Sequence, residues 1–97
     1  MKVIWLKRAI HQRDNQEEWY RSTKGLDFAK TFIRNLYRAE LQIREMPDIG
    51  QKEKSALDGK SVRSVLAHPQ CRIIYKYDDK AITIIRLRFM MMREKPV

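Results

Sequence analysis

Three short β-type runs joined by two tight turns, all within Ser61–Arg93 (SVRSVLAHPQCRIIYKYDDKAITIIRLRFMMMR), restrict the folds open to this chain more than any other feature. Val62–Ala67 ends at His68-Pro69-Gln70, Cys71–Tyr77 ends at Asp78-Asp79-Lys80, and Ala81–Phe89 is dense in Ile and Thr. β-Branched and aromatic runs bounded by Pro and Asp clusters read as strands, and such short links join antiparallel neighbours. A three-stranded meander follows. Side chains alternate between faces along each strand. In the third run Thr83, Ile85, Leu87 and Phe89 form one set, the better suited to burial; Ile82, Ile84, Arg86 and Arg88 form the other. One parity choice per strand then gathers Arg63, Arg72, Arg86 and Arg88 on a single face. On residues alone two readings of that face stay open: an ordinary solvated sheet surface, or a site for a polyanion.

Charge sharpens the question. The 97 residues carry 21 Lys+Arg against 12 Asp+Glu, a net charge of +9. The excess leans towards the sheet half: ten basic and seven acidic residues give +3 over 1–50, eleven and five give +6 over 51–97. Such a balance favours nucleic acid, ribosomal RNA or an acidic protein partner through a sequence-independent attraction. A chain of this length reads as one domain, 1–97, burying roughly 60–65% of the surface its unfolded form exposes. One core fits; a deep private pocket does not.

Ahead of the meander, Lys2–Leu6 (KVIWL) reads as a strand that must pair with it, since a lone strand leaves its backbone groups unsatisfied. From Lys7 to Gly25 the chain turns to helix formers, with Ile10, Trp19 and Tyr20 as apolar anchors around a polar middle: a peripheral helix that Gly25 ends. The second helix is better marked. Phe28, Ala29, Phe32, Ile33, Leu36, Ala39, Ile43 and Met46 recur at three- and four-residue spacing, with Asp27 near the start, Arg44 near the end and Pro47 as the stop. Glu40 interrupts this stripe and is expected to meet solvent or an arginine of the first helix. Residues 51–60 (QKEKSALDGK) read as a charged loop with a turn at Asp58-Gly59. It is either a plain connection or a lysine-bearing rim, Lys52, Lys54 and Lys60, beside the arginine face. Met90-Met91-Met92 serves either core packing or an adaptable partner surface. The fold class is thus α+β, in the order β-α-α-β-β-β, with strand and helix hairpin packed on an antiparallel sheet.

Several chemistries find no support. The glycines Gly25, Gly50 and Gly59 are isolated, and no GxGxxG, P-loop or HExxH occurs. One cysteine, Cys71, allows no internal disulfide or Cys-based zinc cluster and reads as a core residue. His11 and His68 differ too much in context to suggest a metal site, and no cofactor is expected. The four-residue apolar run near the N-terminus is too short for a signal peptide, and nothing approaches a membrane span of roughly 20 residues. A soluble, cytoplasmic protein is expected. Cleaving RNA through its 2′-hydroxyl needs a base, an acid and cations for the developing charge. The arginine face offers the cations. The acid and base have no obvious bearers, because His68 falls in a turn and Tyr75 and Tyr77 alternate away from Arg72.

Laid out in this way, the chain resembles the RelE/ParE superfamily of toxins from type II toxin–antitoxin (plasmid stabilisation) systems. KVIWLKRAI, MPDIGQ, GKSVRSVL, CRIIYKYDDKAITII and the basic tail carry the resemblance over nearly the full length. It implies a microbial-RNase-like α/β sandwich, a cognate antitoxin partner, and one of two poisons: ribosome-dependent mRNA cleavage or inhibition of DNA gyrase. Arg72, just before Ile73-Ile74-Tyr75, matches the arginine that ribonuclease members set on the scissile phosphate. Arg63 matches a basic position of the preceding strand, and Arg88 and Arg93 fall near the basic C-terminal positions. Arg63, Arg72 and Arg93 are therefore the candidate catalytic residues. Lys52, Lys54, Lys60, Arg86 and Arg88 are candidates for target binding, and Met90, Met91 and Met92 for holding the partner. Two departures count against cleavage. Val65 stands where nuclease members place a second lysine, and Phe89-Met90-Met91 where they end in a catalytic His or Tyr. Phenyl and thioether groups cannot shuttle a proton.

Three functions remain in competition. The first is a ParE-like toxin that acts by binding, with gyrase the favoured target. The second is a RelE-like mRNA endoribonuclease. The third is a non-toxic domain that only holds an antitoxin-like partner.

Overall fold

The apolar stripe read in the second helix is what closes the core. In the computed structural model, which describes residues 1–53 and 62–90, the elements are β1 (Lys2–Trp5), α1 (Lys7–Lys24), α2 (Leu26–Glu45), β2 (Gln51–Lys52), β3 (Val62–His68), β4 (Cys71–Tyr77) and β5 (Ala81–Phe89), with a single 3-10 turn at Pro47–Ile49 before β2. α2 buries Ala29, Phe32, Leu36, Ala39 and Ile43, a stripe along one side, whereas Phe28 and Met46 at its ends are exposed. α1 buries only Ala9 and Tyr20, as its polar middle requires. Gly25 ends one helix and starts the next. Its φ of +99° lies where side chains are disfavoured, although a Cβ there would meet nothing within 4 Å, so backbone conformation rather than space selects glycine.

The sheet is larger than a meander. Its five strands run β1-β5-β4-β3-β2, with β1 parallel to β5 and the other pairs antiparallel. The charged loop expected at 51–60 begins as strand β2, whose Gln51 and Lys52 pair with Ser64 and Arg63. Both helices lie on one face of this mixed sheet, over Cys71, Ile73, Tyr75, Ile82, Ile84 and Leu87. Beyond Trp5 no strand among the described residues lies beside the outer edge of β5, and Gln12 of α1 accepts the Leu87 amide there at 2.7 Å. The ladder's free N–H is thereby satisfied.

Alternation in β5 breaks halfway. Ile74 pairs with Arg86 while its neighbour Tyr75 pairs with Ile84, leaving Ile85 as an extra residue, a β-bulge. Ile82 and Ile84 therefore face the helices together with Leu87 and Phe89, and the set Thr83, Ile85, Leu87, Phe89 expected to be buried is split. A second irregularity between Leu66 and His68 carries His68 under the helices as well. Glu40 meets neither water alone nor an α1 arginine. It accepts the Trp5 indole N–H at 3.1 Å, and Arg13 lies over the Trp5 ring, 5.1 Å from its centroid.

Tyr75 fixes the crossing from helix layer to sheet edge. Its buried hydroxyl donates to the Pro47 carbonyl at 2.6 Å and accepts the Gly50 amide at 3.0 Å. A Cβ on Gly50 would lie 2.7 Å from that hydroxyl and 2.8 Å from the Ser64 carbonyl oxygen, so glycine is required by close approach. Gly50→Ala is expected to lower stability by about 1–3 kcal/mol, the usual range for overpacking. Urea unfolding followed by tryptophan fluorescence measures it.

Candidate functional site

Cross-strand partners share a face, so the register fixes which side chains can meet. On the face away from the helices, one row runs Leu66, Arg72, Arg88 and the next Ser64, Ile74, Arg86, with Lys76 following between Val62 and Thr83. Arg72 and Arg88 are thus directly opposed, a placement that is unfavourable for like charges unless an anion lies between or beside them.

That anion is Glu53, which directly follows β2 and whose amide bonds the Val62 carbonyl at 2.8 Å. Its carboxylate accepts both ends of the Arg88 guanidinium, at 2.8 and 3.2 Å, and the Ser64 hydroxyl at 2.6 Å. Ser64 in turn accepts the Arg72 Nε–H at 3.1 Å. The chain of contacts Arg88–Glu53–Ser64–Arg72 crosses the sheet from β5 to its opposite edge. Arg88 above all, then Ser64, draws the Glu53 carboxyl down to about 2. Its side chain is only 11% exposed, while that of Arg88 is 35% exposed. Neither Glu53 nor Ser64 was singled out from sequence. Reading Gln51–Glu53 as a strand would have placed Glu53 on the face of Ser64; the lysines on either side of it suggested a solvated loop instead.

Arg63 does not share this face. It pairs with Tyr75 and so points towards the helix side, where its Nη1 donates to the carbonyl oxygens of Gly50 at 2.7 Å and Asp48 at 3.2 Å. With Tyr75 it clamps the turn that delivers β2. The expected convergence of four arginines is therefore corrected to three, Arg72, Arg86 and Arg88, and Arg63 takes a structural position. Lys52, opposite Arg63, is exposed but likewise belongs to the other face. Met90 is half-buried, and its amide bonds the Gln70 carbonyl at 2.9 Å, tying the end of β5 to the β3–β4 turn. Lys54, Lys60, Met91, Met92 and Arg93 lie outside the described residues.

His68, Tyr75 and Cys71 sit elsewhere. His68 is packed among Tyr20, Phe28 and Phe32 with ring centroids 5.5–5.9 Å away, and its Nδ1 faces the Asn35 amide at 3.0 Å. Burial pushes its pKa down, favouring the neutral ring. Burial likewise raises the Tyr75 hydroxyl and pushes the Cys71 thiol up to about 12, and both side chains lie on the helix side. Among the described residues no group of His, Cys, Asp and Glu could hold a metal ion, and no helix is long and apolar enough to cross a membrane. On the outer side of the helix hairpin, Glu17, Lys30, Ile33, Arg34 and Tyr37 line an open groove of about 520 Å³.

Two expectations follow from this division of the arginines. Arg63→Ala is expected to lose about 1–3 kcal/mol of stability, in line with hydrogen bonds from a charged donor, whereas Arg72→Ala gives up its bond to Ser64 but also relieves the repulsion of the opposed Arg88, for a net loss of less than about 1 kcal/mol in the same urea titration. Glu53 should add an acid-sensitive contribution. Its native carboxyl titrates near 2 and its unfolded one near 4.5, so the unfolded chain takes up the proton first as pH falls. The stabilisation is complete above the unfolded value and is lost as pH falls through the native one. The stability gap between the wild type and Glu53→Gln, about 1–3 kcal/mol at neutral pH, should therefore close towards pH of about 2.

Comparison with known proteins places this geometry in a family. The model of the ParE toxin of the type II toxin–antitoxin system parDE matches residues 3–93. No curated protein matches the chain. Among solved structures, the chromosomal ParDE system from P. aeruginosa superposes with a TM-score of 0.75 at 18% identity, over 93% of this chain and 96% of that one. The YoeB/ParE toxin from Agrobacterium tumefaciens follows at 0.60 and 16%, over 92% and 98%. A heterotetrameric YoeB-YefM toxin-antitoxin complex from Staphylococcus aureus gives 0.59 and 15%, over 92% and 95%. At such identities the structures speak for the fold, two helices on a five-stranded mixed sheet, and the family match over residues 3–93 speaks for the lineage: this chain belongs to the ParE toxins of type II toxin–antitoxin systems.

Proposed function

We propose that the protein is a toxin that acts by binding, with DNA gyrase as its target, and that a cognate antitoxin neutralises it. Gyrase is the target that the family resemblance implies, and one observation supports action by binding rather than cleavage. Among the described residues, the face bearing Arg72, Arg86 and Arg88 has no imidazole, phenol or thiol, and its carboxylate, Glu53, is held ionised by Arg88 and Ser64. A carboxyl drawn so low is a weak base and cannot donate a proton at neutral pH. Cations that grip an anion are present, while His68, Tyr75 and Cys71 lie under the helices. Such a surface suits recognition better than cleavage.

Complex formation in related folds supports the second part, since the YoeB toxin from S. aureus is seen bound to YefM. An acidic, apolar-striped antitoxin segment would match the arginine face in charge. The hairpin adds apolar contact area, with Trp19, Leu26, Tyr37 and Leu41 all exposed. The ribonuclease reading retains one specific support: an ionised carboxylate beside two arginines is an arrangement that could take a 2′-hydroxyl proton, though a poor one.

Two assays separate the readings. Purified protein is expected to inhibit supercoiling by gyrase and to leave mRNA on translating ribosomes uncut. Arg72→Ala is expected to fold normally and to abolish growth arrest on expression without the antitoxin. Ribosome-dependent cleavage with unaffected supercoiling would overturn the gyrase reading, and no growth arrest at all would leave a domain that only holds its partner.

A further inference from the structure

The arginine row carries an anion of its own. Arg72 and Arg88 are directly opposed across β4 and β5, and the carboxylate that offsets them comes from outside the pair of strands. Glu53 is tethered at the edge of the sheet. β2 contributes two paired residues, and one further backbone bond, from Glu53 itself to Val62, extends the ladder. A carboxylate gripped by a guanidinium fork and a hydroxyl shows what the row can bind, because fork and hydroxyl fit a carboxylate from any source. Leu66, 56% exposed, stands in the same row beside Arg72. Apolar surface next to a carboxylate receptor favours a peptide that carries both features over a sugar-phosphate chain.

We infer that Glu53 is a tethered competitor: its carboxylate occupies the place on Arg88 and Ser64 where an acidic side chain of a partner peptide binds, with a neighbouring apolar side chain against Leu66. This inference rests on the arginine face being the toxin's interaction surface, and it adds how that surface is regulated. In the free protein the internal anion offsets the opposed arginines and keeps the face ordered. A partner segment must displace it, so only a ligand supplying its own carboxylate at that point regains the lost contacts. Weakly acidic or purely apolar segments are thereby rejected, which is selectivity through an unpaired charge.

A fluorescein-labelled peptide alternating glutamate and leucine, its glutamine counterpart and an oligouridylate probe the inference by fluorescence anisotropy. Glu53→Gln should tighten binding of the glutamate peptide by about fivefold to tenfold, roughly the gain from removing an internal competitor. The glutamine peptide should not gain. Glu18→Gln on the exposed side of α1 makes the same change in net charge and should bring no comparable gain. Equal gains from both variants would mean bulk charge and overturn the inference, as would weaker or unchanged binding by Glu53→Gln. A gain confined to oligouridylate would overturn the peptide as occupant. If Glu53→Gln does not fold, the wild type decides: the Glu53 side-chain carboxyl carbon resonance should shift when the glutamate peptide saturates the protein. A resonance that stays in place while the peptide binds would refute displacement. Neither result bears on supercoiling or growth arrest, so the proposed function stands or falls separately.

Discussion

A single extra residue in β5 decides what this sheet can do. Side chains in a strand alternate strictly, so a strand of nine residues ordinarily commits every second one to the same face. The bulge at Ile85 resets that alternation. Before it, Ile82 and Ile84 lie under the helices; after it, Leu87 and Phe89 do. Without the reset, burying the first pair would turn Leu87 and Phe89 outward and drive Arg86 and Arg88 into the core. The core and the arginine row are thus two outcomes of the same irregularity.

The opposite end of the sheet shows the complementary device. Arg63 and Tyr75 are cross-strand partners, and together they hold backbone groups of Pro47, Asp48 and Gly50. That clamp brings the chain from α2 onto the sheet edge as β2, and β2 positions Glu53. One arginine is therefore used on the helix side to build the support, while the others are displayed on the far side. The charged residues divide by strand parity, and their roles divide with them.

Electrostatics explains why the displayed face can exist in a protein with a net charge of +9. Opposed guanidiniums repel, and each arginine of the row is only partly removed from water. Glu53 converts this repulsion into a connected network through Arg88, Ser64 and Arg72. The same network depresses the Glu53 carboxyl, which makes it a weak base. His68 and Tyr75, the side chains that chemistry would call on, are occupied elsewhere, one inside an aromatic cluster and the other in the turn clamp.

Much of the architecture could be read directly from residue order. Two helices separated at Gly25, the stripe of α2, three strands with their turns and a buried Cys71 all follow from local periodicity and punctuation, which depend on neighbours in sequence, while the family resemblance rests on the residue blocks themselves. The face on which each arginine sits could not be read in that way. It depends on registers between strands and on two bulges, and alternation read from a single strand carries no record of either. Nor could the partner of Arg88 be found there, since Glu53 is 35 residues away and is brought near only by the clamp that starts β2. Short-range pattern determined the elements and the charge they carry; pairing at long range decided which charges meet.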